Sequence, residues 1–599
     1  MVARVLVTTA QEKTWPTDKK KPVLFLGQWC KLYDRTEIWK DFESKTVDYH
    51  WDDRQKLYND YRLLLDIHEK LIFQLSEILN NLHDTKHSIR YWRIIIGPWL
   101  GLFVPIVFDR WSMLNKTLKE ELIDHCKIIK QDPYDSISND LEDFCKKMVK
   151  ADWNEMIYGQ LLQLCWKKKI SLELIDNYKS DKKKLINVTE KNSIHERHLS
   201  SLKKIFREKI KKLIPIFNRL FTKEDGYFFI STYLPLLIDF KLQVRLGQFP
   251  KFWKVPNTPR ASMDKNFRKW KLEAHTNISS FESVIASLLP QHLPKLYLEG
   301  YDNLKSVSSN LPWPSKPKAI FTGTLWHVSE VFKNWAAEKA EDGVPLVIGQ
   351  HGGHFGTSPF SFLEEHQIKI ADKWISWGWK DFTNSNVTPI GNLKGFGTSQ
   401  GYDPKGSALM VELTIPQYSN YLFATPVAGQ FLEYFEEQKI FLNSLSKILR
   451  QNVIIRSNRI DFDWGLASRF KDEVPEVTVD LGIQDIRKLI KKSRLYISTY
   501  NATTFLESLA WNVPTIIFWN EKHFELSDDA QPYFQLLKSV GIFHNSPQAA
   551  AKHMTYIWDN VDDWWLSDSV QNARMVFCNQ FSRNPKNYLM ELELFFKNL

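Results

Sequence analysis

VPLVIGQHGGHFG, the sequence of residues 344–356, joins a short apolar run to a loop rich in glycine and histidine. Most of the apolar side chains in the run are β-branched, and the run stops at Gly349. It therefore predicts a short buried strand whose carboxyl end lies there. Pro345 fits the beginning of such a strand, because proline cannot donate to a ladder of backbone hydrogen bonds.

The loop after this strand carries four glycines within residues 349–356. Glycine permits positive φ and a close approach of ligand to backbone, and ligands of open α/β sheets bind beyond the carboxyl ends of strands. A histidine there can act as general acid or base, or can donate to a phosphate or carboxylate. The pattern favours a functional loop over a tight turn with a satisfied histidine; its polar and glycine residues are Gln350, His351, Gly352, Gly353 and His354.

Length and composition limit the class of protein. A chain of 599 residues is too long for one core, and a 43% share of hydrophobic residues indicates a globular protein. The net charge of +10 favours an acidic partner, such as a phosphorylated substrate or an anionic membrane. The five cysteines show no paired spacing, which argues against a disulfide framework or a zinc site and for a reducing compartment.

No signal peptide is expected, because the N-terminus lacks a long apolar segment, and the protein is expected to be cytoplasmic. The run IIIGPWLGLFVPIVF (residues 94–108) is short for a membrane span and contains two prolines, so we expect a buried core segment. The basic amphipathic sequence LKKIFREKIKKLIPIF (residues 202–217) is typical of a membrane surface or of a solvated helical face. Nucleic-acid binding is disfavoured, since no recognisable binding motif accompanies the basic residues.

Four charged residues in the first part of the chain are candidates for the site. Asp52 and Asp53 precede a predicted helix over residues 56–82, where either could cap the helix or act in chemistry. Arg90 and Arg93 precede the apolar run, and a guanidinium fork can bind phosphate or carboxylate, although plain ion pairs are equally compatible with the pattern.

A second strand end carries His327 and Glu330, which follow the predicted strand at residues 319–322. Glu330 lies near the start of a helix, where the helix dipole favours a carboxylate. The same position could present an acid, base or nucleophile to a cleft.

The composition of the sequence changes around residues 388–397, where glycine and proline indicate a domain boundary. Beyond it, strands and helices alternate, with strands predicted at residues 407–413, 452–455 and 495–497. A hydroxyl-rich turn then leads into a helix, which predicts an anion site built from backbone N–H groups and side-chain hydroxyls. The residues assigned to this site are Ser498, Thr499, Asn501, Thr503 and Thr504, together with Arg456, and Glu507 as the residue that holds a ribose or sugar hydroxyl or acts as a capping partner.

Two α/β halves with such loops resemble a GT-B glycosyltransferase, with the second half similar to the nucleotide-donor domain. The QHGG sequence at residues 350–353 resembles the His-Gly element of bacterial teichoic-acid and capsule polymer transferases. Segments over nearly the whole chain resemble a family of transferases encoded in O-antigen and surface-polysaccharide regions. They are LGQWC (26–30), HWDDR (50–54), RYWRIIIGPWL (90–100), GQHGGHFG (349–356) and ADKWISWGW (371–379).

The resemblance implies a fold of two Rossmann-like domains that face a cleft, with a basic helical insertion in the N-terminal half. We expect an acceptor-side domain at residues 1–387 with the insertion at about 120–300. A donor-binding domain is expected at residues 388–575, followed by a C-terminal helix at residues 576–599.

The implied reaction is metal-independent transfer of a sugar from a nucleotide-activated donor to a surface glycan such as O-antigen. CMP-activated ulosonic acids such as Kdo are the specific expectation, with no other cofactor. His351 would be the acid/base or phosphate-binding residue, with Glu330, Asp52 and Asp53 as candidate carboxylates. Arg90, Arg93 and His327 would join the glycine-rich loop in binding substrate, and the acceptor would be a glycan or lipid-linked glycan.

Two alternatives stay open at this point. A polyol-phosphate transferase of the CDP-glycerol kind shares the His-Gly loop, and would add phosphate to its acceptor. A non-catalytic scaffold that binds the inner membrane face through the basic sequence at residues 202–217 would not depend on His351.

Overall fold

A computed structural model describes residues 2–176, 225–273, 280–419 and 422–599. Its strands form three separate sheets, and within these sheets every described strand pair is parallel. Parallel sheets need helical crossovers, so helices alternate with the strands throughout. The predicted α/β class with parallel sheets is confirmed.

The first sheet has the order β3-β2-β1-β4-β5. Its strands are β1 (Arg4–Val7), β2 (Val23–Phe25), β3 (Ser44–Thr46), β4 (Ile123–Ile129) and β5 (Ser171–Ile175). The helices of this part are α1 (Thr36–Trp39), α2 (Arg54–His83), α3 (Ile89–Glu120), α4 (Leu141–Lys147) and α5 (Ala151–Leu161), the last continued by a π-helical turn at Leu162–Trp166.

Helix α3 contains the apolar run at residues 94–108 and forms the core between the first two sheets. Among the described helices it alone is long and apolar enough to cross a membrane, yet its apolar window is 100% buried within the protein. Gly97 and Gly101 let neighbouring side chains approach the helix closely, because a Cβ on them would lie 2.5 Å from His366 and 1.7 Å from Phe362. The predicted core segment is confirmed.

The second sheet has the order β10-β9-β8-β7-β6. Its strands are β6 (Phe228–Phe229), β7 (Ile320–Thr322), β8 (Leu346–Gly349), β9 (Lys373–Ser376) and β10 (Val387–Pro389). Strand β8 is the predicted strand that ends at Gly349, and it lies in the centre of the sheet.

The third sheet has the order β13-β12-β11-β14-β15-β16. Its strands are β11 (Ser407–Val411), β12 (Val453–Arg456), β13 (Thr478–Asp480), β14 (Ser493–Ser498), β15 (Thr515–Phe518) and β16 (Phe543–His544). Strand β11 lies between β12 and β14, so the chain reverses its direction of winding there, which is where open α/β sheets form a binding crevice.

The helices described between β6 and the C-terminus follow in chain order. They are α6 (Leu236–Arg245), α7 (Phe281–His292), α8 (Tyr301–Ser309), α9 (Leu325–Val328), α10 (Glu330–Glu341), α11 (Phe362–Ile370), α12 (Phe431–Asn443), α13 (Lys447–Gln451), α14 (Leu466–Glu473), α15 (Ile486–Lys491), α16 (Thr503–Ala510), α17 (Gln531–Ser539), α18 (Pro547–Ile557), α19 (Val561–Trp565), α20 (Asp568–Phe581) and α21 (Tyr588–Lys597).

The C-terminal helix α21 returns to the second sheet. Phe596 packs against Phe229 and Phe321, with ring centroids 4.7 and 5.3 Å away, and Arg245 of α6 pairs with Glu593 at 3.1 Å. The end of the chain therefore ties the second sheet to the third, because α20 precedes α21 and packs on α16 and α17.

The N-terminal half differs from the expected single domain with a helical insertion. It holds two sheets, and the range of about 120–300 supplies strands β4, β5 and β6 as well as helices. The local pattern does not reveal these strands, because β6 is only two residues long and because β4 and β5 each contain several side chains that are not fully buried. The basic sequence at residues 202–217 lies outside the described residues. The domain bounds 1–387, 388–575 and 576–599 stay predictions.

Candidate active site

The loop after β8 is held in place by Gln350. The Gln350 side-chain oxygen accepts hydrogen bonds from the backbone N–H of Trp377 at 2.8 Å and from the indole N–H of Trp379 at 3.0 Å. Its amide donates to the carbonyl of Gly352 at 2.8 Å. Gln350 is expected to bind substrate by the sequence pattern, but in this structure it positions the loop backbone, because all these contacts are internal.

His351 lies in an aromatic pocket made by the two strand-end loops of the second sheet. Its ring centroid is 6.2 Å from those of His327 and Tyr233 and 6.3 Å from that of Trp326. Burial, and then the neighbouring His327, lower the pKa of His351 to about 4. His351 Nδ1 has no hydrogen-bond partner within the described chain. A neutral imidazole with an unused ring nitrogen can accept a proton at neutral pH.

The two other histidines near this loop are more firmly held. His354 Nε2 shares a hydrogen bond with Ser361 Oγ at 3.0 Å, and burial lowers the pKa of His354 to about 3. His327 Nδ1 lies 3.1 Å from the carbonyl of Thr324, to which it donates, and burial lowers the pKa of His327 to about 4. Both are neutral at pH 7, and His327 forms one wall of the His351 pocket.

The glycine-rich loop meets the third sheet directly. The backbone N–H of Gly353 donates to Thr503 Oγ1 at 3.0 Å, and the Asn501 side chain donates to Thr357 Oγ1 at 3.0 Å. A Cβ on Gly353 would lie 2.2 Å from the carbonyl carbon and oxygen of Ala502. The carboxyl ends of β8 and β14 therefore face each other, as expected for two sheets across a cleft.

This contact changes the expected anion site at the N-terminus of α16. Gly353 packs against Ala502 and Thr503, where an anion was predicted to bind. Thr499 Oγ1 donates to the carbonyl of Val411 at 3.0 Å, and Ser498 Oγ donates to the carbonyl of Tyr500 at 3.1 Å. These hydroxyls are used inside the protein, because the turn must satisfy its own buried polar groups.

A cavity of about 580 Å³ opens at the carboxyl ends of β11, β12 and β13. Three arginines, Arg456, Arg459 and Arg487, line it together with the buried carboxyl group of Glu412. Its complete lining is Val411, Glu412, Arg456, Ser457, Asn458, Arg459, Gln484, Asp485, Ile486, Arg487, Tyr500 and Thr504. Guanidinium groups in a concave site bind phosphate and carboxylate groups.

The arginines differ in how firmly they are anchored. Arg456 donates to Asp480 at 2.6 Å and Arg459 donates to the carbonyl of Gly482 at 2.7 Å. Arg487 is exposed, and its guanidinium lies 5.4 Å from the ring centroid of Trp511. Of the three, Arg487 therefore has the most freedom to reach a ligand.

Thr504 joins the cavity to the His351 loop. It lines the cavity, and the preceding residue, Thr503, accepts the hydrogen bond from Gly353. The cavity and the loop that carries His351 therefore meet at the same short turn, residues 503 and 504.

A protein-family model described as LIC12162 family transferase matches residues 4–596. The chain belongs to this family. The match covers nearly the whole chain, including all three sheets, and confirms the transferase resemblance seen in the sequence. A search of curated proteins returned no match.

Solved structures similar to this LIC12162 family transferase include three bacterial proteins. The wall teichoic acid polymerase TagF shares 13% identity, with 47% of this chain and 72% of TagF covered and a TM-score of 0.27. MurG from Acinetobacter baumannii shares 10% identity over 63% of this chain and 100% of MurG, with a TM-score of 0.31. HepE from Anabaena, solved with UDP-glucose, shares 11% identity over 53% of this chain and 88% of HepE, with a TM-score of 0.31.

The candidate carboxylates from the first sheet lie at a contact with the third. Asp53 caps α2, where its side chain accepts from the Lys56 backbone N–H at 3.0 Å. Asp52 accepts from the Tyr49 backbone N–H and from the Gln430 side-chain amide, both at 3.1 Å. The capping alternative is therefore confirmed for Asp53. Within the described part of the chain, the hydrogen bonds of Asp52 and Asp53 do not involve the His351 loop.

Glu330, at the first position of α10, is a buried structural acid in this structure. It accepts from the Leu141 backbone N–H at 3.1 Å and from the Tyr297 hydroxyl at 3.0 Å, and it pairs with Lys333 at 2.8 Å. Because these contacts tie α10 to α4, they explain its burial without chemistry.

The remaining predicted residues also have internal partners. Arg90 pairs with Asp372 at 2.7 Å, and Arg93 forms a two-point ion pair with Glu69 at 2.6 and 2.7 Å. Glu507 pairs with Lys394 at 2.9 Å. Among the residues that the structure describes, no cluster of three His, Cys, Asp or Glu side chains is placed to hold a metal ion.

Glu412, Arg459 and Arg487 line the cavity, and sequence analysis did not select them. The predicted strand at residues 407–413 ran through Glu412, whereas the observed strand stops at Val411. An acidic residue directly after a buried apolar run was the available signal. Arg459 and Arg487 carried no such signal in the sequence, because they come to line one cavity only when β12 and β13 pair.

Proposed function

We propose that this transferase moves a sugar from a nucleotide-activated donor to a cytoplasmically presented glycan or lipid-linked glycan, and that a CMP-activated ulosonic acid such as Kdo is the donor. The cavity with three arginines at the carboxyl edge of the third sheet carries this proposal. Its volume suits a small nucleotide, and its charge suits a ligand with a phosphate and a carboxylate.

The proposed chemistry uses His351 as the general base. The acceptor hydroxyl attacks the anomeric carbon of the donor and gives its proton to His351, while the bond to the phosphate oxygen breaks and CMP leaves with the electron pair. His351 is neutral at pH 7, and its Nδ1 has no hydrogen-bond partner among the described residues, so this nitrogen is open to the proton of the acceptor hydroxyl. Arg459 and Arg487 would hold the departing phosphate. No metal ion is required by this scheme, and metal independence is part of the proposal.

A thermal-shift panel tests the donor site with CMP, CDP, UDP, GDP and ADP. A ligand that binds only the folded protein raises the melting temperature, and we expect CMP to give the largest rise. Arg487→Gln should reduce the rise, because it removes a cavity arginine. Arg245→Gln is the matched control, since Arg245 is a surface arginine on α6 that pairs with Glu593. No shift with any nucleotide, or an equal loss in both variants, would reject the donor site.

Mass spectrometry of the products then identifies the transferred group. With CMP-Kdo as donor, the acceptor should gain the ulosonic acid and no phosphorus. A phosphorus-containing product made from CDP-glycerol would replace the proposal with a polyol-phosphate transferase.

A further inference from the structure

Glu412 is a buried acid that lines the arginine-rich cavity. It follows β11 directly, and its backbone N–H donates to the carbonyl of Arg456 at 3.2 Å, which fixes it at the sheet edge. The residue is only 4% exposed, and neither carboxyl oxygen has a hydrogen-bond partner within the described chain. The Ser457 side chain interacts with the carboxyl group and favours its ionised form, but burial outweighs this effect on the pKa of Glu412.

An unpartnered buried carboxyl group is costly, because a polar group removed from water loses its hydrogen bonds. Burial raises the pKa of Glu412 to about 8, helped by the nearby carboxylate of Asp461. Arg456, which could neutralise a charge there, is paired with Asp480. At neutral pH the group is therefore an uncharged acid that can both donate and accept.

The positions of the cavity residues suggest how a nucleotide would lie. Arg459 and Arg487 are exposed at the rim, whereas Glu412 is buried at the floor. A phosphate held at the rim would direct the ribose and base towards the floor.

We propose that Glu412 binds the uncharged part of the donor nucleotide through a paired donor and acceptor, as found on a ribose diol or on the pairing edge of cytosine. This inference rests on the proposed function, since it requires a nucleotide in the arginine-lined cavity. It makes Glu412 a specificity-determining residue, because a ligand without such a pair leaves the buried acid unsatisfied.

Binding should then weaken as the pH rises through 8. Ionised Glu412 can no longer donate, and it places a negative charge below an anionic ligand. The other charged groups facing it are Arg456, Arg459, Arg487, Asp461, Asp480 and Asp485; Tyr434 and Tyr500 also face it, and burial raises the pKa of both tyrosines. The pKa of Glu412, about 8, lies between the two pH values compared below.

Calorimetric titration with CMP at pH 7 and pH 9 tests the inference. The wild-type protein should bind CMP about tenfold more weakly at pH 9, which is the expected loss of the protonated form one unit above its pKa. Glu412→Gln should bind equally at both pH values, because its amide stays uncharged and keeps a donor and an acceptor. Glu412→Leu should bind weakly at both.

The result that overturns the inference is a wild-type affinity that does not depend on pH, or the same fall in Glu412→Gln. In either case CMP still binds and the proposed donor site stands. If the wild-type protein binds no nucleotide at either pH, the proposed function fails and this inference fails with it. Ribose 5-phosphate separates the two ligand groups: a pH-dependent affinity like that of CMP assigns Glu412 to the ribose, and its absence assigns Glu412 to the base.

Discussion

Gly353 has no room for a side chain, because it touches the backbone of the turn before α16. A Cβ there would lie 2.2 Å from the Ala502 carbonyl and 2.5 Å from the Thr503 nitrogen. Backbone atoms cannot rotate away as a side chain can, so the two loops would have to separate. We expect Gly353→Ala to lower the free energy of unfolding by about 1–3 kcal/mol and to reduce transfer activity, as measured by thermal melting and nucleotide release.

The neighbouring glycine supplies the control. A Cβ on Gly352 would come no closer than 3.4 Å, to Thr503 Oγ1, which is ordinary contact. Gly352→Ala should therefore have much the smaller effect. Equal behaviour of the two variants would show that the loops do not meet as described.

His351 should make stability depend on pH on the acidic side. Its pKa in the folded protein, about 4, lies below the ordinary value of about 6.5 in an unfolded chain. Between these values the unfolded chain binds more protons than the folded protein. The contribution of neutral His351 to the free energy of unfolding is therefore fully present above pH 6.5 and is lost as the pH falls through 4. His351→Gln should flatten this part of the curve, measured by chemical denaturation at several pH values. An unchanged slope would mean that His351 is not buried in its neutral form.

At the scale of elements, the N-terminus of α2 distinguishes a structural acid from a catalytic one. Asp53 accepts from the Lys56 N–H as a helix cap, and asparagine caps about as well as aspartate. Asp53→Ala should cost about 1 kcal/mol of stability, whereas Asp53→Asn should keep both stability and activity. Thermal melting and nucleotide release measure the two effects. A large loss of activity in Asp53→Asn would restore the carboxylate to the chemistry.

The N-terminus of α16 illustrates why a helix end is not a site by itself. The sequence around Thr503 contains a strand, a hydroxyl-rich turn and a helix start, which is the pattern of an anion site. In the folded chain the Gly353 loop fills this position. The arginine-lined cavity lies nearby, at the ends of β11, β12 and β13, and its lining includes Arg456 and Thr504 of the predicted donor site.

At the scale of the whole molecule, Arg54 fastens the first sheet to the third. Its guanidinium donates to both carboxyl oxygens of Glu525 at 2.6 and 2.8 Å, and to the carbonyl of Thr425 at 3.2 Å. The side chains of the pair are 12% and 26% exposed. The HWDDR sequence at residues 50–54 thus contributes a contact between the part of the chain around the first sheet and the part around the third.

A double-mutant cycle measures this contact. Arg54→Gln, Glu525→Gln and the double variant should give a coupling free energy of about 1–3 kcal/mol, because the pair is bidentate and partly buried. The exposed pair of Lys19 and Asp41 is a suitable comparison, with side chains 50% and 51% exposed, and its coupling is expected to be much the smaller. Strictly additive costs at Arg54 and Glu525 would show that the ion pair does not hold the units together.

The sequence by itself determined the elements with strong local signals. These are the apolar run before Gly349, the sustained helical periodicity of α2 and the apolar run in α3. Each contains enough regularly spaced or consecutive apolar residues to be recognised from the sequence. The α/β class and the glycine-rich loop at a strand end followed from the same signals. The family resemblance added the transferase function, which no spacing rule implies.

Only the tertiary structure decided which of these parts meet. Short strands such as β3, β6 and β13 are stabilised by pairing with distant strands, so local sequence does not reveal them. The division of the N-terminal half into two sheets was missed for this reason. Likewise, the contacts of Glu330, Arg90 and Arg93 are with residues that lie elsewhere in the chain. Glu412 and Arg487 line one cavity because β11, β12 and β13 lie side by side. A residue's chemistry depends on its neighbours in space, and for these residues the neighbours come from long-range packing.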